Sequence, residues 1–186
     1  VMASVKLNED GKADYTDCEL KLRTFYYKRL LGYVEKDFYS SDEKKLRKLI
    51  FSEIDIINII NAYRLKAFFG YTPDQIKSSQ LPFTGAGKNR MNRLYESDTP
   101  EEMISRLEKM TYGRSFQGEY EHIETKINSY AYQLMQHTVA ASTSAPVTIY
   151  AFMKLCDIEV GNIVHIIEGV RYDVDPAMLE GKLIIC

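Results

Sequence analysis

Apolar side chains occupy almost every position of residues 50–69, IFSEIDIINIINAYRLKAFF. A stretch of about twenty residues without proline or glycine favours a helix, although isoleucine is also common in strands. Because apolar residues lie on nearly every face, the pattern predicts a helix that is buried on most sides. Gly70 is suited to end this helix, and Thr72 with Pro73 predicts the start of the next one.

A few polar residues interrupt this apolar helix at regular intervals. Asp55, Asn58, Asn61 and Arg64 recur every third residue, a spacing that places them along one side of a helix. We call these four residues the polar line. Buried polar groups require partners, so we expect the line to contact another helix or side chains one turn away.

The same design returns near the C-terminus, in DIEVGNIVHIIEGVRY at residues 157–172. With an offset of 104 positions, the four residues of the polar line correspond to Glu159, Asn162, His165 and Glu168. A period of about one hundred residues is too long for a solenoid unit and indicates a duplicated helical subdomain. The predicted organisation is a loose segment over residues 1–14, a helical repeat over 15–117 and a second, truncated repeat over 118–186.

Further helices are expected around the two central ones. One runs over 18–34 with Asp17 as N-cap, and its predicted apolar face comprises Leu20, Phe25, Tyr26, Leu30 and Tyr33. Others are predicted at 73–80, from Pro100 behind a capping Thr99, and at 120–141, whereas residues 81–90 are predicted to form a loop. No pair of alternating strands is visible. The predicted fold is all-α, with pseudo-repeated helical subdomains packed around near-all-apolar central helices.

Composition narrows the classes of function. The chain of 186 residues is 45% hydrophobic and carries a formal net charge of −2, which argues against general nucleic-acid binding. Three cysteines at irregular spacing favour reduced thiols in a cytosolic protein. No run approaches the roughly 18 apolar residues that a membrane span requires.

Candidate chemistry is sparse. Gly85-Ala86-Gly87-Lys88 is reminiscent of a phosphate loop, but Asn89 replaces the Ser or Thr of that motif and no strand precedes it. His122 near Glu119 lacks a third ligand at metal-binding spacing. Asp55 and Glu159 could be imagined as a general acid and base; their equivalent places in the repeat favour a structural role instead. The sequence therefore predicts no catalytic, cofactor or metal site.

A resemblance to a known family rests on an ordered series of motifs. EIDIINIINAYRLKAFFGYTPDQI, TPEEMISRLEKMTYG and IEVGNIVHIIEGVRYDVDPAMLEGKLI together resemble the C subunit family of V-type ATPases and ATP synthases, known as the d subunit in eukaryotic enzymes. The match covers residues 18–185. The family is built from three related helical subdomains in a funnel shape, and this chain resembles the C-terminal two, with Val1 falling near the end of the first. Gly161-Asn162-Ile163-Val164 departs from the family's usual Arg-Asn-Leu-Arg.

The resemblance implies a non-catalytic part of a rotary motor. The partners that it implies are the central-shaft subunits and the proteolipid ring, on the cytoplasmic side of the membrane, with membrane contact only through the ring. The polar line and its counterparts Glu159, Asn162 and His165 would hold helices together. Lys66 and Arg171 would be the candidates for partner contacts. Proton and sodium transport, and synthesis and hydrolysis, remain open alternatives.

Two other hypotheses belong to different classes. A helical adaptor would bind a partner peptide or protein in an apolar groove between the repeats. An enzyme would use Asp55 or Glu159, and a deep pocket holding both carboxylates would favour it.

Overall fold

The computed structural model describes residue 11 and residues 14–38, 40–113 and 123–185, and over these it is built from helices. The eight α-helices are α1 (Tyr15–Asp37), α2 (Ser40–Phe69), α3 (Pro73–Ser78), α4 (Lys88–Tyr95), α5 (Pro100–Glu108), α6 (Ile123–Ala141), α7 (Ala145–Arg171) and α8 (Pro176–Glu180). A 3-10 turn follows α5 at Thr111–Gly113. None of these described residues lies in a strand, so the all-α prediction is confirmed.

The chain divides into two compact units, Val1–Met103 and Ile104–Cys186. This division falls inside α5, upstream of the boundary that the sequence repeat places after residue 117. The two boundaries rest on different criteria. The compact units are defined by contacts between residues, whereas the repeats are defined by similarity of sequence. The predicted loose segment at 1–14 lies almost wholly outside the described residues.

Helix α1 begins earlier than predicted and buries a different face. Asp14, not Asp17, is its N-cap, because its carboxylate accepts hydrogen bonds from the backbone amides of Thr16 and Asp17. The buried residues are Tyr27, Leu31 and Val34. The predicted face is wrong: Phe25, Tyr26 and Tyr33 are about half exposed, and Leu20 and Leu30 are half-buried. Two aromatic stripes are available on this helix, and packing against α2 selects the one that includes Tyr27.

Helix α2 runs without interruption through the predicted central helix. It starts at Ser40, ten residues before the apolar stretch, and continues through residue 50 without a break. Its fully buried side chains include Ile50, Ile54, Asp55 and Ile59, which confirms a helix that is covered on most sides as far as Ala62. Beyond Ala62 the prediction is wrong, because none of the described residues of α2 is buried there and Phe68 and Phe69 are exposed. The helix ends at Gly70, whose φ of 62° suits a residue without a Cβ atom.

Two caps confirm the predicted starts of α3 and α5. Thr72 and Gln75 form a reciprocal capping box with Pro73 in the first turn. Thr99 Oγ1 accepts a hydrogen bond from the backbone amide of Glu102, and the Glu102 carboxylate accepts one from the amide of Asp98. These local bonds fix where each short helix begins.

Helix α4 begins inside the predicted loop at 81–90 and continues through residues for which the sequence gives no prediction. It starts after Gly87, which has a φ of 90°, and it buries Met91, Leu94 and Tyr95. The sequence KNRMNRLY is polar apart from these three residues. The spacing of Met91, Leu94 and Tyr95 is the one signal in it for a helix.

The second unit contains α6, α7 and α8. Helix α6 packs along α7 and buries Ile123, Ile127 and Met135; its predicted start at Tyr120 lies outside the described residues. Gly169 of α7 meets the side chain of Leu179, where an added Cβ would lie 2.8 Å from the nearest carbon atom. A glycine is therefore required at the place where α8 packs on α7. Gly161 faces open space instead.

Candidate functional site

The polar line of α2 contacts the segment that connects α3 to α4. Asp55 is completely buried. Its carboxylate accepts hydrogen bonds from the backbone amides of Gly85, at 3.1 and 3.2 Å, and Ala86, at 2.8 Å. Hydrogen bonds to an ionised acceptor are shorter and stronger than neutral ones. The amides therefore stabilise a carboxylate that would otherwise be costly to bury.

Gly85 can approach α2 closely because it has no side chain. A Cβ at this position would lie 2.8 Å from the Cβ of Phe51 and 3.4 Å from Oδ2 of Asp55. A carbon–carbon contact as short as the first of these requires the surroundings to shift. The glycine is thus part of the geometry that brings the two amides to Asp55.

One turn further along α2, Asn58 holds the same segment by its backbone. The side-chain amide donates to the carbonyl of Leu81 at 3.1 Å, while its Oδ1 accepts from the amide of Leu81 at 2.9 Å. A weaker bond reaches the carbonyl of Phe83 at 3.4 Å. Asn58 is 2% exposed, so it satisfies backbone groups that water cannot reach.

Asn61 and Arg64 complete the line with decreasing burial. Asn61 donates to the carbonyl of Ser79 at 3.0 Å, and Arg64 is exposed. For these hydrogen bonds, an irregular segment takes the place of the expected helix, although the Asp55 carboxylate also lies near Tyr95 of α4. For the three inner residues of the line the hydrogen-bonding partners are mainly backbone groups of the segment that connects α3 to α4, because an irregular segment offers unpaired amides and carbonyls.

A cavity of about 380 Å³ adjoins the outer end of the polar line. Helix α1 contributes Arg23 and Glu19 to its wall, and α2 contributes Asn61 and Arg64. Arg23 and Glu19 form an ion pair at 2.7 Å. Asp55 does not line this cavity. The cavity is therefore not the deep pocket that an enzyme using Asp55 would need.

The second copy of the design reproduces one contact of the first. Asn162 donates to the carbonyl of Ile184 at 2.9 Å, and its Oδ1 accepts from the amide of Ile184 at 3.0 Å. This is the same exchange that Asn58 makes with Leu81. The repeat in the sequence therefore corresponds to a repeated contact, in which an asparagine of the central helix binds the backbone of the segment after the following short helix.

The other members of the second line are differently placed. Glu159, His165 and Glu168 are all exposed, whereas Asp55 is buried. Of the two carboxylates considered as an acid and base pair, one is held by backbone amides and the other faces solvent.

The glycine-rich segment 85–88 resembles an anion-binding loop for a physical reason. Two of its successive amides point at one carboxylate, which is how backbone amides cradle a phosphate. Here the anion is Asp55 of the same chain. Gly87 then caps α4 without a side-chain hydrogen bond.

Two buried tyrosines lie beside acidic residues of α2. Burial raises the pKa of Tyr95, and the nearby carboxylate of Asp55 raises it further. Burial also raises the pKa of Tyr27, whose hydroxyl donates to the carboxylate of Glu53 at 2.8 Å. Both phenols therefore stay protonated where a free tyrosine would ionise.

Metal-binding clusters and membrane-spanning helices are absent from the described ranges. No group of three or more His, Cys, Asp or Glu side chains there could hold a metal ion, and His122 with Glu119 lies outside those ranges. No helix in the same part of the chain is long and apolar enough to cross a membrane.

The two candidates for partner contacts both lie in the last turn of a central helix. Lys66 is half-buried near the end of α2. Arg171 is exposed at the end of α7, with its guanidinium 5.6 Å from the centre of the Tyr172 ring. The two cations thus occupy equivalent ends of the two long helices.

Comparison with known proteins identifies the family. The family model described as the ATP synthase (C/AC39) subunit matches residues 4–182. The chain belongs to this C/AC39 family. No curated protein and no solved structure matches it.

Membership of the C/AC39 family confirms the resemblance seen in the ordered motifs. It makes the chain a relative of V-type ATPase and ATP synthase subunits, with partners inside such a complex. The sequence pattern does not predict the partners of the two lines, which are Gly85, Ala86, Leu81 and Ile184. The repeat could have indicated two of these partners, because Leu81 lies 23 positions after Asn58 and Ile184 lies 22 positions after Asn162.

Proposed function

We propose that this chain is a non-catalytic central-stalk subunit of a V-type rotary ATPase or ATP synthase. In this role it couples the central shaft to the proteolipid ring during ATP-linked proton or sodium transport. It lies on the cytoplasmic side of the membrane and reaches the membrane only through the ring.

Beyond family membership, the main support is that buried polar side chains of α2 form hydrogen bonds with the backbone of the same chain. Asp55 is bonded to Gly85 and Ala86, and Asn58 is bonded to Leu81. A catalytic carboxylate must be accessible to a substrate, whereas this one is fully buried. Groups that are satisfied in this way stiffen a scaffold, and stiffness is what the transmission of torque requires.

Lys66 and Arg171 are the proposed contacts with the shaft or the ring. Each lies at the C-terminal end of a long helix, where a cation is also stabilised by the helix dipole. Because that stabilisation is only about 0.3–1 kcal/mol, removal of either cation should weaken partner binding more than folding.

The test is capture of the chain by purified central-shaft subunits and, separately, by the detergent-solubilised proteolipid ring. Wild type is compared with Lys66→Ala and Arg171→Ala. Lys45→Ala, an exposed change elsewhere on α2, is the matched control. We expect wild type and the control to be captured by both partners, and at least one of the other variants to be retained less.

Failure of both captures, with the helical circular dichroism spectrum intact, would overturn the coupling role. The helical adaptor would then become the leading hypothesis. Unchanged capture of Lys66→Ala and Arg171→Ala would leave the coupling role standing and remove only the proposed contact residues.

A further inference from the structure

Helix α7 carries an exposed apolar stripe along most of its length. Its seven positions are separated alternately by four and three residues: Ile149, Met153, Cys156, Val160, Ile163, Ile167 and Val170. We call this stripe the α7 seam. Apart from the half-buried Cys156, its side chains are 55% to 76% exposed. Alternation of three and four is the spacing by which one helix packs along another.

The seam is large enough for a stable interface. Together with the adjacent Phe152, Val164 and Ile166, which are also exposed, it offers on the order of 1,000 Å² of apolar surface, and a standard interface takes about 800 Å² from each partner. Apolar patches on monomeric proteins rarely exceed a few hundred Å².

The first copy of the repeat shows that three of the seven seam positions are suited to burial. With the offset of 104, Met153, Val160 and Ile163 correspond to Leu49, Ile56 and Ile59 of α2. Those three residues are 3%, 5% and 0% exposed. These three positions therefore form the core in one copy and the surface in the other, whereas Ile149 and Val170 correspond to the exposed Lys45 and the half-buried Lys66.

The charges beside the seam indicate what kind of helix fits it. Asp157 and Glu159 lie on the two sides of its middle, and Arg171 lies beside its C-terminal end; all three are exposed. Asp157 pairs with Lys154 of its own helix at 3.3 Å, yet the Asp157 side chain is still 71% exposed. A pair so open to solvent contributes little, so the Asp157 carboxylate can accept further donors from a partner.

The counterparts of these acids in α2 show which groups can face an acidic residue at such a position. They are Glu53 and Asp55. Glu53 accepts a hydrogen bond from the Tyr27 hydroxyl, and Asp55 accepts from two backbone amides. In the first copy, both acidic positions are thus matched by donors that another segment provides.

We propose that the α7 seam docks an amphipathic helix of a partner protein, with an apolar heptad stripe and Lys or Arg on both flanks. The apolar stripe covers the seam, and the basic flanks face Asp157 and Glu159. This partner is defined by its chemistry and does not depend on the coupling role proposed above.

A second copy of α7 is a poorer occupant on grounds of charge. In a parallel pair packed along the seam, Asp157 would face Phe152 of the other copy, and Glu159 would face Val164. In an antiparallel pair centred on the seam, they would face Val164 and Ile166. Neither arrangement brings a cation of the other copy to Asp157 or Glu159, so both carboxylates would face apolar side chains without gaining a donor.

The experiment measures the binding of synthetic helical peptides to the full chain by fluorescence anisotropy. One labelled peptide has a Leu/Ile heptad stripe with Lys flanks, and a matched peptide has Glu flanks. The protein variants are D157K/E159K, which reverses both flanking charges, and Ile163→Asp, which breaks the seam. Glu168→Lys, an exposed change outside the seam, is the control. Ile167→Ser replaces Ile163→Asp if that variant does not fold.

The expected result is selective binding of the Lys-flanked peptide, unchanged in Glu168→Lys. Reversal of both charges should weaken it about tenfold and confer binding of the Glu-flanked peptide. Ile163→Asp should abolish binding of both peptides. In a Cys18→Ser, Cys186→Ser background, maleimide labelling of Cys156 should slow when the Lys-flanked peptide is bound.

Three outcomes would overturn the proposal. These are equal binding of the two peptides by wild type, binding that survives Ile163→Asp, and no binding by a folded chain. A stable dimer that Ile163→Asp dissociates, measured by light scattering without peptide, would assign the seam to a second copy instead.

Discussion

The side chain of Asn58 exchanges two hydrogen bonds with the backbone of Leu81, at 2.9 and 3.1 Å. Asn162 makes the same exchange with Ile184 in the second copy. One side chain thereby satisfies both backbone groups of a residue outside regular structure. In each copy, the contact fixes the segment after a short helix to the central helix.

Replacing Asn58 with Ala should destabilise the fold by about 2–4 kcal/mol, because a buried amide and a buried carbonyl of Leu81 would lose their partner. The measurement is the free energy of unfolding from urea titration followed by circular dichroism. Asn162→Ala is the matched comparison. Its contact is only partly buried, so its cost should be about 1 kcal/mol. Equal costs for the two variants would contradict the importance given to burial.

Replacing Asp55 with Asn should release the segment around Gly85 and Ala86. An amide has one acceptor oxygen in place of two, and its NH₂ group would face backbone donors, so we expect a loss of about 2–3 kcal/mol. Hydrogen exchange of the amides in residues 79–86 should accelerate. Glu159→Gln, on the exposed counterpart, should change stability by less than about 0.5 kcal/mol. Unaltered exchange in Asp55→Asn would show that its carboxylate does not hold the segment.

Two glycine substitutions should have opposite signs. Gly85→Ala places a methyl group 2.8 Å from the Cβ of Phe51 and should cost about 1–3 kcal/mol. Gly161→Ala adds a methyl group in open space within α7 and should stabilise by about 0.5–1 kcal/mol. Thermal unfolding of both variants tests this pair. A stabilising Gly85→Ala would mean that the close approach to α2 is not needed.

Stability should fall as the pH rises above about 10, the ordinary pKa of tyrosine. Tyr27 and Tyr95 have raised pKa values in the folded state, so the unfolded chain releases these protons first. Their contribution is fully present below about pH 10 and is lost as the pH increases beyond it. Tyr95→Phe should reduce this alkaline loss by up to about 1.4 kcal/mol per pH unit. Urea unfolding of wild type and variant between about pH 9 and 11.5 measures the difference in slope.

The helical periodicity of α2 and the caps at Thr72 and Thr99 are predictable because they depend on residues close in sequence. The buried face of α1 is not. Its aromatic residues at 25, 26, 27 and 33 permit more than one apolar stripe, and contact with Glu53 of α2 decides for Tyr27. Helix α4 is not predicted, because the spacing of Met91 and Leu94 is the main indication of a helix in its sequence.

The candidate site is predictable in its residues and not in its partners. Spacing alone aligns Asp55, Asn58 and Asn61 on one side of a helix. Their partners depend on the path of residues 79–86, which no local pattern encodes. The similar separation between each asparagine and its partner segment does indicate that path. It can be seen only when the alignment of the two copies is extended past their central helices.

The contacts at Asp55, Asn58 and Asn61 follow one another at successive turns in the middle of α2. The helix has 30 residues and is therefore about 45 Å long. Over those turns, a second length of backbone runs beside it and is bonded to it at each step. Bending stiffness is consequently uneven along α2. A transverse load would flex the helix near residues 40–50 or beyond residue 64, and leave its centre straight.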